Sequence, residues 1–176
     1  MRKMLYILRH AKAEIGTPQQ DDHSRKLVDR GVEAARIVGA YMFRQHIKPD
    51  KVICSDAART RETWEQIESI YPAPNVEITR KLYMASANQM LQSLVTLPEA
   101  VKSVLMIAHN PGVHQLCLKL AKEGDENTLD LMFLKFPTCT LAAIDLGDTP
   151  WNKVENASGK LIDFVTPKML AGLEDD

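Results

Sequence analysis

The sequence is poor in cysteine, and its three copies, Cys54, Cys117 and Cys139, lie far apart. No CxxC spacing occurs, so a zinc site is not expected. An odd count with wide spacing suits buried free thiols in a reducing compartment. Long apolar runs are also missing. The run at residues 4–8 follows Arg2 and Lys3 but is too short for the core of a signal peptide, and nothing approaches a membrane span. A cytoplasmic protein with no membrane association is expected. Neither sign of charge dominates: 22 Lys and Arg stand against 23 Asp and Glu, for a net charge of −1. That balance gives no basic bias toward nucleic acid, and the acidic tail is limited to Glu174-Asp175-Asp176. There is no internal repeat, low-complexity tract or linker. With 45 % hydrophobic and 26 % charged residues, the 176-residue chain reads as one soluble domain, residues 1–176, with a sizeable core.

What the chain does have is short, fully apolar runs that each end in polar residues. Residues 4–8 are apolar without a break, then Arg9-His10 arrives. Lys51-Val52-Ile53-Cys54 is followed by Ser55-Asp56, and Val104-Leu105-Met106-Ile107-Ala108 by His109-Asn110-Pro111-Gly112. Such runs fit strands buried on both faces of a parallel sheet. Helical spacing fills the gaps. Val32, Ala35, Ile37, Val38, Tyr41 and Met42 predict a helix to about His46. A second helix is expected over residues 57–70, started by Ser55 or Asp56 and stopped before Pro72 and Pro74. A third covers residues 88–97, and a fourth carries Val113, Leu116, Cys117, Leu120 and Ala121 on one face and ends at Gly124-Asp125. Residues 76–78, 140–144 and 160–165 read as further strands, the last two joined through turn signals at Gly147, Pro150 and Gly159. The alternation implies an α/β fold, a single three-layer domain with a mostly parallel central sheet and helices on both faces.

Parallel strands put their endings on one edge of the sheet, where ligands bind in open α/β folds. Arg9, His10, Ser55, Arg59, His109 and Asn110 would then converge, with Arg61 further along the same helix. Arginine offers a planar fork of donors for phosphate, and histidine is the side chain most ready to act near neutral pH. No carboxylate cluster belongs to this set, so neither a catalytic metal nor a cofactor is called for. Cationic donors without metal ligands suggest a phosphoryl group, and helix N-termini after Ser55 and Pro111 could add free amides.

These segments resemble the histidine phosphatase superfamily. Leu5 to Ala11 is similar to its RHG signature, with Ala11 in place of the glycine. Ser55-Asp56-Ala57-Ala58-Arg59-Thr60-Arg61-Glu62-Thr63 resembles the SPxxRAxQT segment, with Asp56 and Ala57 replacing its Pro-Leu pair. Ala108-His109-Asn110-Pro111-Gly112 resembles the second-histidine segment. Arg9-His10-Ala11-Lys12-Ala13, the stretch Asp22-His23-Ser24-Arg25-Lys26-Leu27 with Gly31 after it, and Thr166-Pro167-Lys168 resemble the short SixA-type phosphohistidine phosphatases. The resemblance spans residues 4–168. It implies that His10 is a nucleophile forming a phosphohistidine intermediate, and that Arg9, Arg59 and His109 hold the phosphoryl oxygens. Mutases and many phosphomonoesterases of the superfamily carry a mid-chain acid as proton donor. The corresponding segment here, residues 80–86, has none, as in the SixA-type branch.

The expectation is therefore a metal-independent phosphohistidine phosphatase acting on a phosphorelay or phosphotransfer protein. A phosphatase for phosphoserine or small phosphomonoesters, and a phosphate-binding module without turnover, are the rivals. A binder needs the arginines but no nucleophile. The remaining residues have plainer readings. Arg61 points away from Arg59 and suits a surface ion pair. His114 lies five residues after His109, the wrong spacing for a shared metal. His23 and His46 read as a solvated loop residue and a helix-end residue. Lys12 is either solvated or near phosphate. Asn110 either offers its backbone amide to phosphate or forms a plain turn. Cys54 has no base to activate it, and Trp64 and Trp151 suit the core.

Overall fold

The computed structural model describes residues 1–72 and 75–172. Pro74 and the acidic tail Glu174-Asp175-Asp176 lie outside the described residues. Seven strands form one open sheet: β1 (Met4–Arg9), β2 (Lys51–Ser55), β3 (Val76–Thr79), β4 (Ser103–Ala108), β5 (Ala121–Gly124), β6 (Leu141–Asp145) and β7 (Gly159–Val165). Their order is β3-β2-β4-β1-β6-β7-β5. The pairs β1–β4, β2–β4, β2–β3 and β5–β7 are parallel, while β6 runs antiparallel to both β1 and β7. The sheet is thus mixed but mostly parallel.

Each central strand buries both faces, which is why its sequence is a continuous apolar run rather than an alternation. Leu5, Ile7, Ile53, Val104, Met106 and Ala108 face one core layer; Leu8, Val52, Cys54, Leu105 and Ile107 face the other. Helices α1 (Asp29–Arg44), α2 (Ala58–Glu68) and α6 (Pro167–Leu170) cover the second layer. Helices α3 (Ala87–Val95), α4 (Gly112–Leu120) and α5 (Glu126–Leu134) cover the first. Helix α1 presents Ala35, Val38 and Met42 at the i, i+3, i+7 spacing of a buried stripe. Helix α3 opens with a capping box between Ser86 and Gln89.

Two expectations fail. Neither Ser55 nor Asp56 caps α2: β2 runs through Ser55, and α2 follows Ala57, which offers no side-chain cap. The helix after Pro111 stops at Leu120. Residues 121–124 then form the edge strand β5, and Asp125 caps α5 by accepting from the Thr128 N–H. Between β6 and β7 the chain makes a 3-10 segment, Trp151–Asn156, seating Trp151 in the core. All three cysteines are free and buried.

The N-terminal edge of β1 is pinned by a buried lysine. The Lys3 ammonium is 1 % exposed, donates to the Val101 carbonyl at 2.9 Å, pairs with Glu99 at 3.2 Å and lies over the Trp151 ring.

At the opposite edge, Gly31 lets α1 pack directly on the chain leaving β1. A Cβ at Gly31 would lie 2.0 Å from the Lys12 carbonyl oxygen, which also accepts the Val28 N–H at 3.1 Å. Gly31→Ala is expected to destabilise the fold by about 1–3 kcal/mol, read as a lower urea midpoint. An unchanged midpoint would mean that the Lys12 backbone yields freely.

Candidate active site

The parallel register fixes the stage. Arg9 ends β1 opposite Ala108 at the end of β4, and Ser55 ends β2 on the other side of β4. The residues that follow rim a cavity of about 220 Å³ lined by Arg9, His10, Arg25, Arg59, His109 and Asn110 with their neighbours. Arg9, His10, Arg59, His109 and Asn110 therefore meet at one cavity, and Ser55 stands behind His109. Arg61 is exposed on α2, away from the cavity, and His46 is exposed at the end of α1.

His10 is buried, and its Nδ1 lies 2.7 Å from the Ala11 carbonyl oxygen. A carbonyl only accepts, so Nδ1 carries the proton and Nε2 keeps the lone pair. The chain around it is held firmly. The Ala11 N–H donates to Thr63 Oγ1 on α2, and the His10 N–H donates to the Ala108 carbonyl. The His109 ring sits 5.3 Å from that of His10, centroid to centroid. Its Nε2 is 2.7 Å from Ser55 Oγ. A serine hydroxyl both donates and accepts, so this contact is compatible with either neutral tautomer of His109; with the ring proton on Nδ1, Ser55 is the donor. Burial pushes both histidines down to about 3, helped at His10 by Arg59 and Arg9 and at His109 by His10 and Arg59. Both are neutral near pH 7.

The arginines are braced from outside the cavity. Arg9 Nη1 donates to the Phe136 carbonyl, which also accepts from Asn110 Nδ2 at 3.0 Å. Asn110 thus ties the end of β4 to the chain after α5. Arg59 is 1 % exposed, and its Nη1 and Nη2 donate to the backbone oxygen and carboxylate of Asp22 at 2.8 and 3.1 Å. Arg9 Nε, Arg59 Nε and His109 Nδ1 are buried without a hydrogen-bond partner among the described residues, as are Asn110 Oδ1 and Thr140 Oγ1.

A single carboxylate that the sequence did not mark, Asp22, joins the site from the loop after β1. It accepts from the Tyr83 hydroxyl at 2.6 Å and pairs with Arg25 at 2.9 Å. The Tyr83 hydrogen bond, with Arg25 and Arg59, holds its carboxyl down to about 2. It is an orienting anion for Arg59, not a proton donor. His23 is likewise no free loop residue: its Nε2 meets Asp56 Oδ1 at 2.7 Å. Asp56 and Ala57, in place of Pro-Leu, therefore give the loop over the site a fastening point. Glu62 on α2 adds another by accepting the Leu27 N–H at 2.7 Å. Arg25 completes the cationic lining. Nothing in the spacing marked Asp22 as a partner of Arg59 and Tyr83, or Ser55 as a partner of His109, since those contacts cross between distant segments, while Asp22–Arg25 is local. His114 Nε2 lies 2.7 Å from the Met132 carbonyl, Cys54 donates to the Ser55 carbonyl, and Trp64 is buried in the core. Among the described residues no group of three or more His, Cys, Asp or Glu side chains is placed to hold a metal ion, and no helix is long and apolar enough to cross a membrane.

Fold and site together define an α/β enzyme built to handle a phosphoryl group. The sequence profile of the histidine phosphatase superfamily (branch 1) matches residues 5–83. An uncharacterised protein of Mycobacterium leprae is 31 % identical over 165 residues, covering 92 % of this chain and all of that one. A Haemophilus influenzae protein described as a phosphohistidine phosphatase SixA homolog is 26 % identical over 130 residues, covering 66 % of this chain and 76 % of that one. The solved structure of a candidate phosphohistidine phosphatase SixA from Nakamurella multipartitia superposes with a TM-score of 0.81 at 26 % identity, covering 95 % of this chain and 97 % of that one. The chain belongs to the histidine phosphatase superfamily, and it is a phosphatase-type hydrolase.

The neutral histidines set an acid limit on stability. Their folded values lie below the unfolded value of about 6.5, so the unfolded state binds more protons on acidification. Stability should be fully present above about pH 6.5 and fall as pH drops toward about 3. Urea midpoints measured from pH 7 to 4 should decline in the wild type and decline less in His10→Gln and His109→Gln. Equal slopes in all three would mean that the rings are charged in the fold.

Proposed function

We propose that the protein is a metal-independent phosphohistidine phosphatase that works through a phosphohistidine intermediate on His10, with a phosphorelay or phosphotransfer protein as substrate. One observation carries this reading. A buried imidazole lone pair shares one cavity with three residues that keep an unpartnered buried nitrogen donor, Arg9 at Nε, Arg59 at Nε and His109 at Nδ1, and with no carboxylic acid or imidazolium that is protonated at neutral pH. A phosphoryl group has three oxygens to accept those donors. Fixed cationic donors stabilise transferring charge without reorganising at the moment of reaction. The described SixA homologues support the substrate class by likeness.

In the first step His10 Nε2 attacks phosphorus while the P–N bond of a substrate ring protonated on its other nitrogen breaks. The bond pair stays with the substrate ring, which departs as neutral imidazole, and phosphorylated His10 keeps its proton on Nδ1. Water then attacks phosphorus from the vacated side as the bond to His10 breaks. The bond pair returns to Nε2, the water's proton stays on the departing phosphate or passes to solvent, and His10 is neutral again with its proton on Nδ1. An ester demands more. Its alkoxide leaving group wants a proton during cleavage, and general acid assistance contributes about 10²–10⁴-fold. Asp22 is ionised, both histidines are neutral, and residues 80–86 contain no carboxylic acid. The site therefore suits P–N bonds better than alkyl phosphates. It is likewise suited to cytoplasmic signalling chemistry, in which phosphate resides on protein histidines.

The test compares a phosphohistidine peptide, a phosphoserine peptide and aryl phosphates of rising leaving-group pKa, all with EDTA present. Fast phosphohistidine hydrolysis and a steep fall of kcat/KM along the aryl series are expected, with no turnover by His10→Ala. A flat series with brisk phosphoserine turnover would give the site to esters instead. Loss of activity in EDTA, restored by a divalent ion, would overturn the metal-free mechanism.

Arg59 and Arg61 separate clamp from surface. Arg59→Ala should lose about 10²–10³ in rate, as removal of one preorganised donor does, whereas Arg61→Ala should stay near wild type. Similar losses would remove Arg59 from the clamp.

A further inference from the structure

Beside the site lies a second concavity of about 490 Å³, lined by Lys12, Arg30, Ala34, Lys135, Pro137, Thr138, Thr166, Pro167 and Lys168. It borders the catalytic cavity, since Lys12 and Thr138 line both. Among the described residues no acidic side chain lines it. The cations Lys12, Arg30 and Lys135 come from three separate stretches: the chain after β1, the start of α1 and the chain after α5. Among the described residues, Lys12, Arg30 and Lys135 form no ion pair with a carboxylate. The protein's net charge is −1, so this local excess of positive charge is not a reflection of a basic chain.

We propose that this groove docks an acidic segment of the protein substrate next to its phosphorylated side chain. The inference rests on the protein-phosphatase reading and names the kind of sequence that flanks the target. The character of the donors selects the occupant. A second phosphoryl group needs buried, convergent donors such as those around His10. Here the cations are long side chains spread along an open groove, with Ala34, Pro137 and Pro167 between them, which matches carboxylates distributed along a peptide. Lysine and arginine at such a rim steer and orient a partner, and their effect is screened by salt.

The experiment uses phosphohistidine peptides of one length with either Asp/Glu-rich or Asn/Gln-rich flanks, together with p-nitrophenyl phosphate. Binding of fluorescent, unphosphorylated versions of both peptides is measured in parallel. The variant is Arg30→Glu with Lys135→Glu, two residues outside the catalytic cavity. At low salt the wild type should prefer the acidic flank by roughly three- to tenfold, in line with a few exposed ion pairs. The variant should lose that preference in both turnover and binding and should leave p-nitrophenyl phosphate hydrolysis unchanged. A preference that is absent, or that survives the charge reversal, overturns the proposal. So does a charge-dependent preference for inorganic pyrophosphate over phosphate as an inhibitor when the peptides show none, because the groove would then be a second phosphate site. If neither phosphohistidine peptide is hydrolysed while p-nitrophenyl phosphate is, the phosphohistidine reading falls, and peptide binding alone decides the groove.

Discussion

The guanidinium of Arg59 is almost sealed from solvent, and an uncompensated ion in such a place costs several kcal/mol. Much of the site's architecture is a response to that cost. Asp22 supplies a carboxylate and a backbone oxygen to the outer nitrogens of Arg59. To do so, the loop after β1 must fold back over the carboxyl edge of the sheet. Arg25 and Tyr83 bind the same carboxylate, so the loop closes around one anion. With the outer nitrogens held, the Nε edge of Arg59 is the part left for a ligand. The positive charge so retained, added to burial, keeps the neighbouring imidazoles neutral. Nucleophilicity at His10 and cationic stabilisation at Arg59 are thus two results of one electrostatic arrangement.

The three central strands were legible because burial on both faces leaves no choice but an unbroken apolar run. Their polar endings, Arg9-His10 and His109-Asn110, stood out for the same reason, and Arg59 followed from its distance to Ser55. Elements with weaker burial were not legible. Strand β5 is Ala-Lys-Glu-Gly at the sheet edge, with two exposed residues and no β-branched side chain, and it reads as a helix end. Helix α5 buries Met132 while Leu131, Phe133 and Leu134 stay exposed, so it has no clean apolar stripe to detect. Asp22 was missed because its contact with Arg59 spans 37 residues; Ser55 was expected at the same edge as His109, but their hydrogen bond across 54 residues was not readable. Such pairings are set by the packed fold and leave no local periodicity.

A single carbonyl oxygen shows how far the site reaches into the frame. Phe136 follows α5 and is itself buried against Phe164 of β7. Its oxygen receives both Arg9 and Asn110. The ends of β1 and β4 are therefore indexed to a connection on the antiparallel side of the sheet. Cys139, in the left-handed region at φ 58°, then turns the chain so that its N–H reaches the Arg9 and His10 carbonyls. The antiparallel strands, which contribute no functional side chain of their own, hold the catalytic ones in place through the backbone.

The buried Lys3 has a practical side. It secures the start of β1, whereas every group around His10 gathers beyond the other end of that strand. Six residues of strand at about 3.3 Å each separate the two edges by roughly 20 Å. The chain ahead of Lys3 therefore emerges on the face turned away from the reaction. A dye, an affinity handle or a surface linker carried there would leave the mouth of the cavity clear, and the immobilised protein would present its working edge outward to large partners in solution.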